Sequence, residues 1–556
     1  MPTVSAHVAR TLAAHLDHVF GLMGNGNAYF LDALERETEV AFTAVRHEAG
    51  GVVAADAHFR ASGRIAAATA TYGAGFTNTL TALAEAAQAR VPLVLVVGDE
   101  PTSGRRPWDV DQIALASAVG ARTYTVGRTD AAATTVLAIE HALAYRVPVV
   151  LAIPYDVATR EAGAFAPAPD LHLPEPLAPK GPFGSAVIGE IATALAGASR
   201  PFLLAGRGAW LAGAGEALGE LADATGAITA STALGRGVFP DARYDLGVTG
   251  GFGAEGAMEL VREADVAVVF GASLNQFTMR FGDLFAPGTR VFQVDVAAAA
   301  THPNVGGFVR GDAAVVARAI VESLDGLDGL DAEASGWRET VDVDALRAQP
   351  TAVRADGLAD DGRLDPRAVA QGIAELLPED RVVVSDGGHF IGWANMYWPV
   401  ASPDRMIMVG TAFQSIGLGF PSVPGAAAAK PESTIVLTTG DGGGLMALAD
   451  LESAVRSAGG RGVAVVWNDA AYGAEVNLYG LKGLAREPML IPETSFAGLA
   501  TAVGAEGVVV RELADLDALA RWAERPVDER PFLLLDCRIS GTVVAPYQEE
   551  IIRVNS

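Results

Sequence analysis

The feature that most constrains this chain is a glycine-rich turn that follows a short strand pattern and holds one carboxylate. Residues 435–437 read Ile-Val-Leu, residues 438–444 read Thr-Thr-Gly-Asp-Gly-Gly-Gly, and an Ala/Leu-rich segment typical of a helix comes next. Such a turn places bare amides and a helix N-terminus beside Asp441, at the carboxyl end of a strand. The turn therefore predicts a parallel α/β sheet whose edge binds an anionic ligand together with a hard cation.

A second strand pattern, at residues 463–467, delivers Asn468 and Asp469 to the same edge of the sheet. Magnesium is commonly bound by one or two carboxylates together with phosphate oxygens of a ligand. Asp441 and one of these two later residues therefore predict a site for Mg²⁺ or another divalent metal.

The chain as a whole predicts three α/β domains, since its 556 residues are too many for one core. Short β-branched runs such as residues 91–97 alternate with longer Ala/Leu-rich segments, which is typical of parallel sheets covered on both faces. Two linker-like stretches, residues 161–184 and about 326–366, separate the blocks. The predicted domains are residues 1–165, 185–325 and 366–545.

Charge and composition exclude several classes of partner and site. The formal net charge of −26 argues against binding nucleic acid or an anionic membrane through a broad basic surface. No signal-peptide pattern is visible, and the most apolar stretch, residues 91–97, is too short to span a membrane. The single cysteine, Cys537, excludes an intrachain disulfide and a cysteine-built metal site. We therefore expect a cytoplasmic protein.

Several motifs together resemble the thiamine-diphosphate-dependent enzymes. Gly440-Asp441-Gly442, followed about 25 residues later by Asn468-Asp469, is similar to the family's cofactor fingerprint, which usually ends in Asn-Asn. Residues 45–63 resemble the segment around the family's catalytic glutamate, which maps to Glu48, and residues 69–83 resemble a conserved run of the acetolactate synthases. Residues 233–240, 250–253 and 271–295 resemble segments of the family's central domain and occur in the same order.

The resemblance implies a pyrimidine-binding, a central and a diphosphate-binding domain, in that order along the chain. It implies that Glu48 relays protons to the aminopyrimidine of thiamine diphosphate, a role for which a raised carboxyl pKa is expected. It also implies that Ile416 props the cofactor in a bent shape and that the Gln414 carbonyl faces its amine. The cofactor-binding residues carried over are Glu48, Gly387, His389, Gln414, Ile416, Gly440, Asp441, Gly442, Gly443 and Tyr472.

The second metal ligand is left open by the resemblance. Counting from Asp441 favours Asn468, whereas matching Tyr472-Gly-Ala474 to the benzoylformate decarboxylases favours Asp469. We prefer Asp469, with the carbonyl of Ala471 as a third ligand. Since Asp469 stands where the family has asparagine, the site would be more anionic than in its relatives.

The substrate side departs from the acetolactate synthases. Asn25 and Tyr72 stand where small residues are usual, and Asp111 replaces an apolar aromatic residue, whereas Gln112 of the same motif is kept. Gln112 is therefore a second candidate catalytic residue. Asn25, Tyr72, Asp111 and Glu475 are candidate substrate contacts, with Glu475 in the place of an acid/base glutamate of the pyruvate decarboxylases.

The predicted function is that of an acetolactate-synthase-like 2-keto-acid decarboxylase or carboligase. The alternatives are a non-oxidative decarboxylase of an aromatic or unusual 2-keto acid, a flavin-dependent oxidase, and a non-catalytic homologue that binds the cofactor. The resemblance implies a homodimer or homotetramer with active sites between subunits. It leaves open whether the central domain binds FAD or another nucleotide.

Overall fold

The protein, seen in a computed structural model, is built from three parallel-sheet α/β domains. Residues 1–327, 334–350 and 354–555 are described. In these residues each domain contains one six-stranded sheet, and all the strand pairs are parallel. The predicted fold class is confirmed.

The first domain has the strand order β2-β1-β3-β4-β6-β5. Its helices connect successive strands. The elements are α1 (Val4–Ala13), β1 (His18–Gly21), α2 (Ala28–Glu37), β2 (Ala41–Ala44), α3 (Glu48–Ser62), β3 (Ala67–Ala70), α4 (Ala74–Thr77), α5 (Leu80–Gln88), β4 (Leu93–Asp99), α6 (Gln112–Ala118), β5 (Arg122–Thr125), α7 (Ala131–Tyr145) and β6 (Pro148–Pro154).

The central domain has the strand order β12-β11-β10-β7-β8-β9, in which the chain reverses direction across the sheet between β7 and β10. The elements are α8 (Gly181–Ala196), β7 (Pro201–Ala205), α9 (Arg207–Leu211), α10 (Gly215–Thr225), β8 (Ile228–Ser231), β9 (Asp245–Val248), α11 (Glu255–Arg262), β10 (Val266–Phe270), β11 (Arg290–Asp295), β12 (Val305–Arg310), α12 (Ala313–Asp325) and α13 (Val343–Arg347).

The third domain repeats the strand order of the first, as β14-β13-β15-β16-β18-β17. The elements are α14 (Pro366–Leu376), β13 (Arg381–Ser385), α15 (Ile391–Tyr397), β14 (Met406–Met408), α16 (Gly419–Ala429), β15 (Thr434–Gly440), α17 (Asp441–Met446), α18 (Leu451–Ala458), β16 (Gly462–Asn468), α19 (Gly473–Glu475), α20 (Phe496–Ala502), β17 (Glu506–Val510), α21 (Asp517–Glu524), β18 (Leu533–Arg538) and α22 (Pro546–Asn555).

Each sheet is buried on both faces, as its continuous apolar strands require. In β4, Leu93, Leu95 and Val97 pack into one hydrophobic cluster, whereas Val94 and Val96 pack into another on the opposite face. The first of these clusters also contains residues of the third domain. The first and third domains therefore share a core.

The shared core is centred on α3 and α16, the helices that connect the second strand of each sheet to the third. They cross at Gly425, where an added Cβ would lie 1.9 Å from the carbonyl oxygen of Ala54. Farther along α3, buried Arg60 pairs with Asp56 and Glu85 and donates to the carbonyl of Met408 at 2.9 Å. The crossing requires a glycine and fixes the first domain against the third.

The two predicted linkers differ in structure. Residues 163–180, which are described throughout, form neither helix nor strand, and α8 begins at Gly181, inside the predicted linker. The second stretch belongs in part to the central domain, because Trp337 and Val343 are buried in its core. Residues 328–333 and 351–353 of this stretch lie outside the described residues. In the part of the chain that is described, no helix is long and apolar enough to cross a membrane.

We predict that Gly425→Ala destabilises the protein by about 1–3 kcal/mol, because the new methyl group overlaps the backbone of α3. The measurement is the thermal unfolding midpoint. The matched control is Gly189→Ala in α8, where an added Cβ meets nothing within 4 Å and helix propensity alone favours alanine by up to about 1 kcal/mol. Equal midpoints for Gly425→Ala and the wild type would contradict the prediction.

Candidate active site

The candidate site lies at the carboxyl edge of the third sheet, where β15 and β16 end side by side. Asp441 is the first residue of α17 and is buried. Its Oδ1 atom accepts from the Gly442 amide at 3.0 Å, and the Ala470 amide donates to the same carboxylate. Amides from both loops thus converge on one carboxylate.

Asp469 lies next to Asp441. Its side chain is 1% exposed, and its Oδ2 atom is 3.0 Å from Nε2 of His389. Its Oδ1 atom is buried without a hydrogen-bond partner among the described residues. Burial, and then the charge of Asp469, raises the pKa of Asp441 to about 7. Two buried carboxylates this close together make a site that attracts a cation.

His389 is the positive partner of this pair. Burial alone would lower its pKa, but the hydrogen bond and charge of Asp469 outweigh burial, so the pKa of His389 is raised. The charges of Asp441 and Glu475 act in the same direction, although Glu475 itself is exposed. The raised pKa makes protonation of His389 easier, at the position where the sequence predicted a contact to the diphosphate.

Asn468 is held on the other side of the loop. Its Nδ2 atom donates to the Thr494 carbonyl at 3.1 Å and to Asp536 Oδ1 at 2.9 Å, and its Oδ1 atom has no partner among the described residues. Asp536 is itself buried and bonded to the amide of Phe496. These contacts hold the side chain of Asn468 against β18. The charge of Asp469, in contrast, acts on Asp441.

A divalent metal fits this edge only in combination with other ligands. Among the residues that the structure describes, no three His, Cys, Asp or Glu side chains form a metal-binding group. Two carboxylates, one carbonyl and the oxygens of a bound phosphate form the donor set that Mg²⁺ commonly takes. The buried Oδ1 atom of Asp469, which lacks a partner, fits this role, and the predicted third ligand, Ala471, follows two residues later.

Two residues beside the site have left-handed backbone conformations that favour glycine. They are Ala470, with φ 61°, between Asp469 and Ala471, and Gln414, with φ 60°, two residues before Ile416. Such conformations persist only where the surroundings fix them, and they are frequent at binding sites. The Ala470 carbonyl accepts from the Ile491 amide, and the Tyr472 amide donates to Met489, so residues 489–491 fix the metal loop.

Asp386 is a functional residue that the sequence analysis missed. Its Oδ1 atom accepts from the amides of Gly387, Gly417 and Leu418 at 2.8–3.1 Å, and its Oδ2 atom accepts from Thr439 Oγ1 at 2.9 Å. It therefore joins the loop before His389, the loop after Ile416 and the end of β15. An aspartate at the end of the β13 run Val-Val-Val-Ser-Asp was the available signal.

Ile416 stands at the surface of this site. Its Cγ2 atom would lie 3.0 Å from a Cβ added at Gly387, and the side chain is 37% exposed. A Cβ added at the neighbouring Gly417 would lie 2.8 Å from the Cβ of Met446. The side chains of Met446 and Phe413 are both exposed. An apolar surface thus lies beside the charged edge of the sheet.

Glu48 begins α3 in the first domain, after the N-cap His47. It is half-buried, and its Oε2 atom accepts from Asn78 Nδ2 at 3.0 Å. A Cβ added at Gly75 would lie 3.2 Å from Oε1, so the glycine leaves room for the carboxylate. The structure therefore brings together Glu48 and residues 75–78, two of the segments that the resemblance singled out.

Gln112 is buried and fully occupied within the first domain. Its Oε1 atom accepts from the Gly73 amide at 2.8 Å, and its Nε2 atom donates to the Gly98 carbonyl at 3.0 Å and to Asp99 at 3.2 Å. These contacts indicate that Gln112 positions the loop at residue 73. The predicted catalytic role remains a prediction.

The candidate substrate residues separate into two groups. Asn25 donates to the Tyr72 hydroxyl at 2.7 Å, and the guanidinium of Arg106 lies 4.2 Å from the centre of the Tyr72 ring. Asp111 instead caps α6 by accepting from the Ala114 amide at 3.0 Å, so its carboxylate faces its own helix. Arg106, which the sequence analysis did not identify, holds Tyr72 in place.

In the central domain, the reversal point between β7 and β10 is the position at which open α/β sheets commonly bind a dinucleotide. The amides of Gly206, Gly208 and Gly271 already donate to backbone carbonyls at 2.9 Å. A Cβ added at Gly206 would lie 2.6 Å from the Gly271 carbonyl oxygen. None of these three amides is free for a diphosphate, so FAD does not fit at these glycines.

Comparison with known proteins identifies all three domains. Residues 2–119 match the family model of the thiamine pyrophosphate enzyme N-terminal TPP binding domain, residues 188–324 match the central domain, and residues 386–537 match the C-terminal TPP binding domain. Together the three matches cover most of the chain.

The similar proteins include enzymes with different reactions. The chain is 27% identical to a sulfoacetaldehyde acetyltransferase of Castellaniella defragrans, over 99% of this chain and 95% of the other. It is 28% identical to an acetolactate synthase of Mycobacterium avium, over 93% of this chain and 84% of the other. A thiamine-diphosphate-dependent 4-hydroxybenzoylformate decarboxylase of Rhodococcus jostii RHA1 has the same fold, with a TM-score of 0.77, 20% identity, and coverage of 97% of this chain and 99% of the other.

We predict that Mg²⁺ affinity, measured by calorimetry in the presence of thiamine diphosphate, falls as pH decreases through about 7, because the raised pKa of Asp441 lets a proton compete with the metal. Asp469→Asn removes the like charge, so the midpoint of this dependence should move to lower pH. Asn468→Ala is the matched control and should leave the midpoint in place. Identical pH profiles for Asp469→Asn and the wild type would contradict the assignment.

Proposed function

Since the chain belongs to the thiamine pyrophosphate enzymes, whose three domain models match most of its length, we propose that it is a 2-keto-acid decarboxylase or carboligase of the acetolactate synthase type. Thiamine pyrophosphate is thiamine diphosphate under its other name. The observation that carries the proposal is the buried group of Asp441, Asp469 and His389 beside the glycine-rich turn.

The diphosphate end of the cofactor would be held at this edge of the third sheet. Asp441, Asp469 and the Ala471 carbonyl would bind Mg²⁺, while His389 and the amides of residues 442–444 face the diphosphate. When bound, thiamine diphosphate supplies a thiazolium carbon that adds to a keto carbon and accepts the electrons released by decarboxylation. The presence of Glu48 together with the metal motif around Asp441 disfavours a non-catalytic homologue.

Glu48 would hold a proton against the aminopyrimidine ring. Its position at the start of α3 is fixed by the hydrogen bond from Asn78, and Gly75 leaves its other oxygen accessible. A carboxyl group that donates and accepts a proton at a fixed ring nitrogen acts as a general acid and base. Ile416 would support the cofactor from the side of the third domain, and the carbonyl of Gln414, whose backbone is left-handed, would face the cofactor amine.

We propose that the active unit is a homodimer or homotetramer in which Glu48 of one subunit faces the metal site of another. Exposed apolar side chains on both half-sites support this arrangement. On the third domain Phe413, Ile416 and Met446 are exposed, and on the first domain Met23 and Trp108 are exposed. Apolar surface of this kind commonly marks a protein interface.

The proposed substrate is a small 2-keto acid, and the pocket favours one with an aromatic or hydroxylated group. Tyr72, Tyr155 and Trp108 surround the guanidinium of Arg106, at 4.2, 4.9 and 5.5 Å from the ring centres. Both carboxylate oxygens of Asp109 accept hydrogen bonds from the guanidinium of Arg106, at 2.8 and 2.9 Å, and neutralise its charge. This aromatic wall supports the second candidate function, a non-oxidative decarboxylase of an aromatic 2-keto acid.

We predict that Glu48→Gln lowers turnover by about 10²-fold or more, the usual scale for losing a general acid or base, and leaves cofactor affinity within about tenfold. Hydrogen–deuterium exchange at the thiazolium carbon of bound thiamine diphosphate measures the lost step directly. Glu432→Gln, at an exposed glutamate paired with Arg461, is the control and should exchange as the wild type does. Unchanged exchange in Glu48→Gln would contradict the role given to Glu48.

We predict that pyruvate is a poor substrate compared with larger hydroxylated or aromatic 2-keto acids. Asn25 donates to the Tyr72 hydroxyl at 2.7 Å, and a substrate that buries the remaining hydrogen-bonding groups of these two residues without partners loses about 1–3 kcal/mol for each group. Steady-state kcat/KM values for a panel of 2-keto acids test this. In Tyr72→Phe, the difference between kcat/KM for the larger acids and kcat/KM for pyruvate should be smaller than in the wild type. The highest kcat/KM for pyruvate, with accumulation of acetolactate, would instead establish ordinary acetolactate synthesis.

A further inference from the structure

A cavity of about 170 Å³ lies between the central and third domains, away from the loops that carry Asp441 and His389. An apolar protein cavity of about 150 Å³ is large enough to hold benzene. The space is therefore sufficient for a small organic molecule. Its lining includes Arg236, Val248, Phe252, Arg347, Trp398 and Pro399.

Arg236 brings a buried positive charge to this cavity. It is only 9% exposed, and its two terminal nitrogens donate to the carbonyls of Trp398 at 3.2 Å and Asn395 at 2.9 Å. Within the described residues no carboxylate forms an ion pair with Arg236, and its Nε atom is buried without a hydrogen-bond partner. A buried guanidinium in this state lacks the anion that commonly accompanies it.

A second arginine, Arg347, lines the same cavity. It donates to the Ala242 carbonyl at 3.0 Å, and its ion-pair partner, Asp344, is largely exposed. The nearest buried carboxyl group is Asp245, which accepts from the Gly247 amide at 2.9 Å. Burial raises the pKa of Asp245 to about 7, so near neutral pH it offsets only part of the positive charge.

The rest of the lining is mostly apolar, and Gln349 and Tyr397 add polar groups to it. Phe252 and Trp398 are buried aromatic residues, and Val248 and Pro399 complete the surface between them. An inorganic ion would meet the two arginines but leave these walls without contacts. A molecule with an apolar body would cover them and gain burial free energy.

We propose that this cavity is a binding site for a small carboxylate with an apolar body, whose carboxylate pairs with Arg236 and Arg347. Planar guanidinium groups match carboxylate oxygens geometrically, and neither arginine is part of the proposed cofactor site. The inference is independent of the reaction that the enzyme catalyses. Its failure would leave the proposed function untouched.

The test is calorimetry on the full chain loaded with thiamine diphosphate and Mg²⁺. Benzoate is the probe, benzamide is its neutral isostere and inorganic phosphate is the anion without an apolar body. We expect benzoate to bind at least about tenfold more tightly than either, a difference of about 1.4 kcal/mol.

Three variants locate the binding. Arg236→Met should weaken benzoate binding at least tenfold, and Val248→Phe should do the same by filling the cavity while keeping both arginines. Tyr72→Phe, at the proposed substrate site, should bind benzoate as the wild type does. Val248→Phe keeps the test valid if Arg236→Met fails to fold.

Four results would each overturn the proposal. They are equal affinities for benzoate and benzamide, phosphate binding as tight as benzoate, wild-type benzoate affinity in Val248→Phe, and loss of binding in Tyr72→Phe. The absence of benzoate binding up to about 10 mM, the range of very weak complexes, would also overturn it.

Discussion

The architecture of the site depends on one unfavourable contact, the burial of Asp441 beside Asp469. Two like charges in a low-dielectric edge are stable only if a cation or a proton compensates them, and the raised pKa of Asp441 expresses this requirement. His389 supplies part of the compensation. The strands, the glycine-rich turn and the left-handed residue Ala470 keep the two carboxylates together, and the metal ion that we propose for this edge would compensate their charge.

Much of the fold and part of the site could be predicted from the sequence, because they depend on local signals. Continuous apolar strands indicated parallel sheets, and the spacing from the glycine-rich turn to Asn468-Asp469 indicated the metal edge. The role of Asp386 was missed, although its position at the end of β13 was an available signal, because its partners Gly417, Leu418 and Thr439 are distant from it in sequence. The cap formed by Asp111 and the internal bonds of Gln112 were missed for a related reason: a motif gives the residue type but not the direction of the side chain.

The identical strand order of the first and third sheets explains why α3 and α16 cross where they do. Each helix connects the second strand of its sheet to the third, so equivalent helices pack against each other within one chain. This is the arrangement of an isologous dimer interface, formed here inside a single polypeptide. Gly425 permits the close approach, and the buried pair of Arg60 on α3 and Glu85 on α5 ties α3 to the loop that leads to Ile416.

The start and the end of the first domain are in contact with each other. Thr3 is bridged to Glu161, so the domain closes on itself before the extended segment 163–180 begins. Every sheet takes its strands from one uninterrupted stretch of sequence, and no strand passes from one sheet to another. A break or a transposition in that segment would therefore remove no strand pairing. The strand pairing within each sheet therefore does not depend on the order of the domains along the chain, and the same three sheets could be encoded as separate polypeptides.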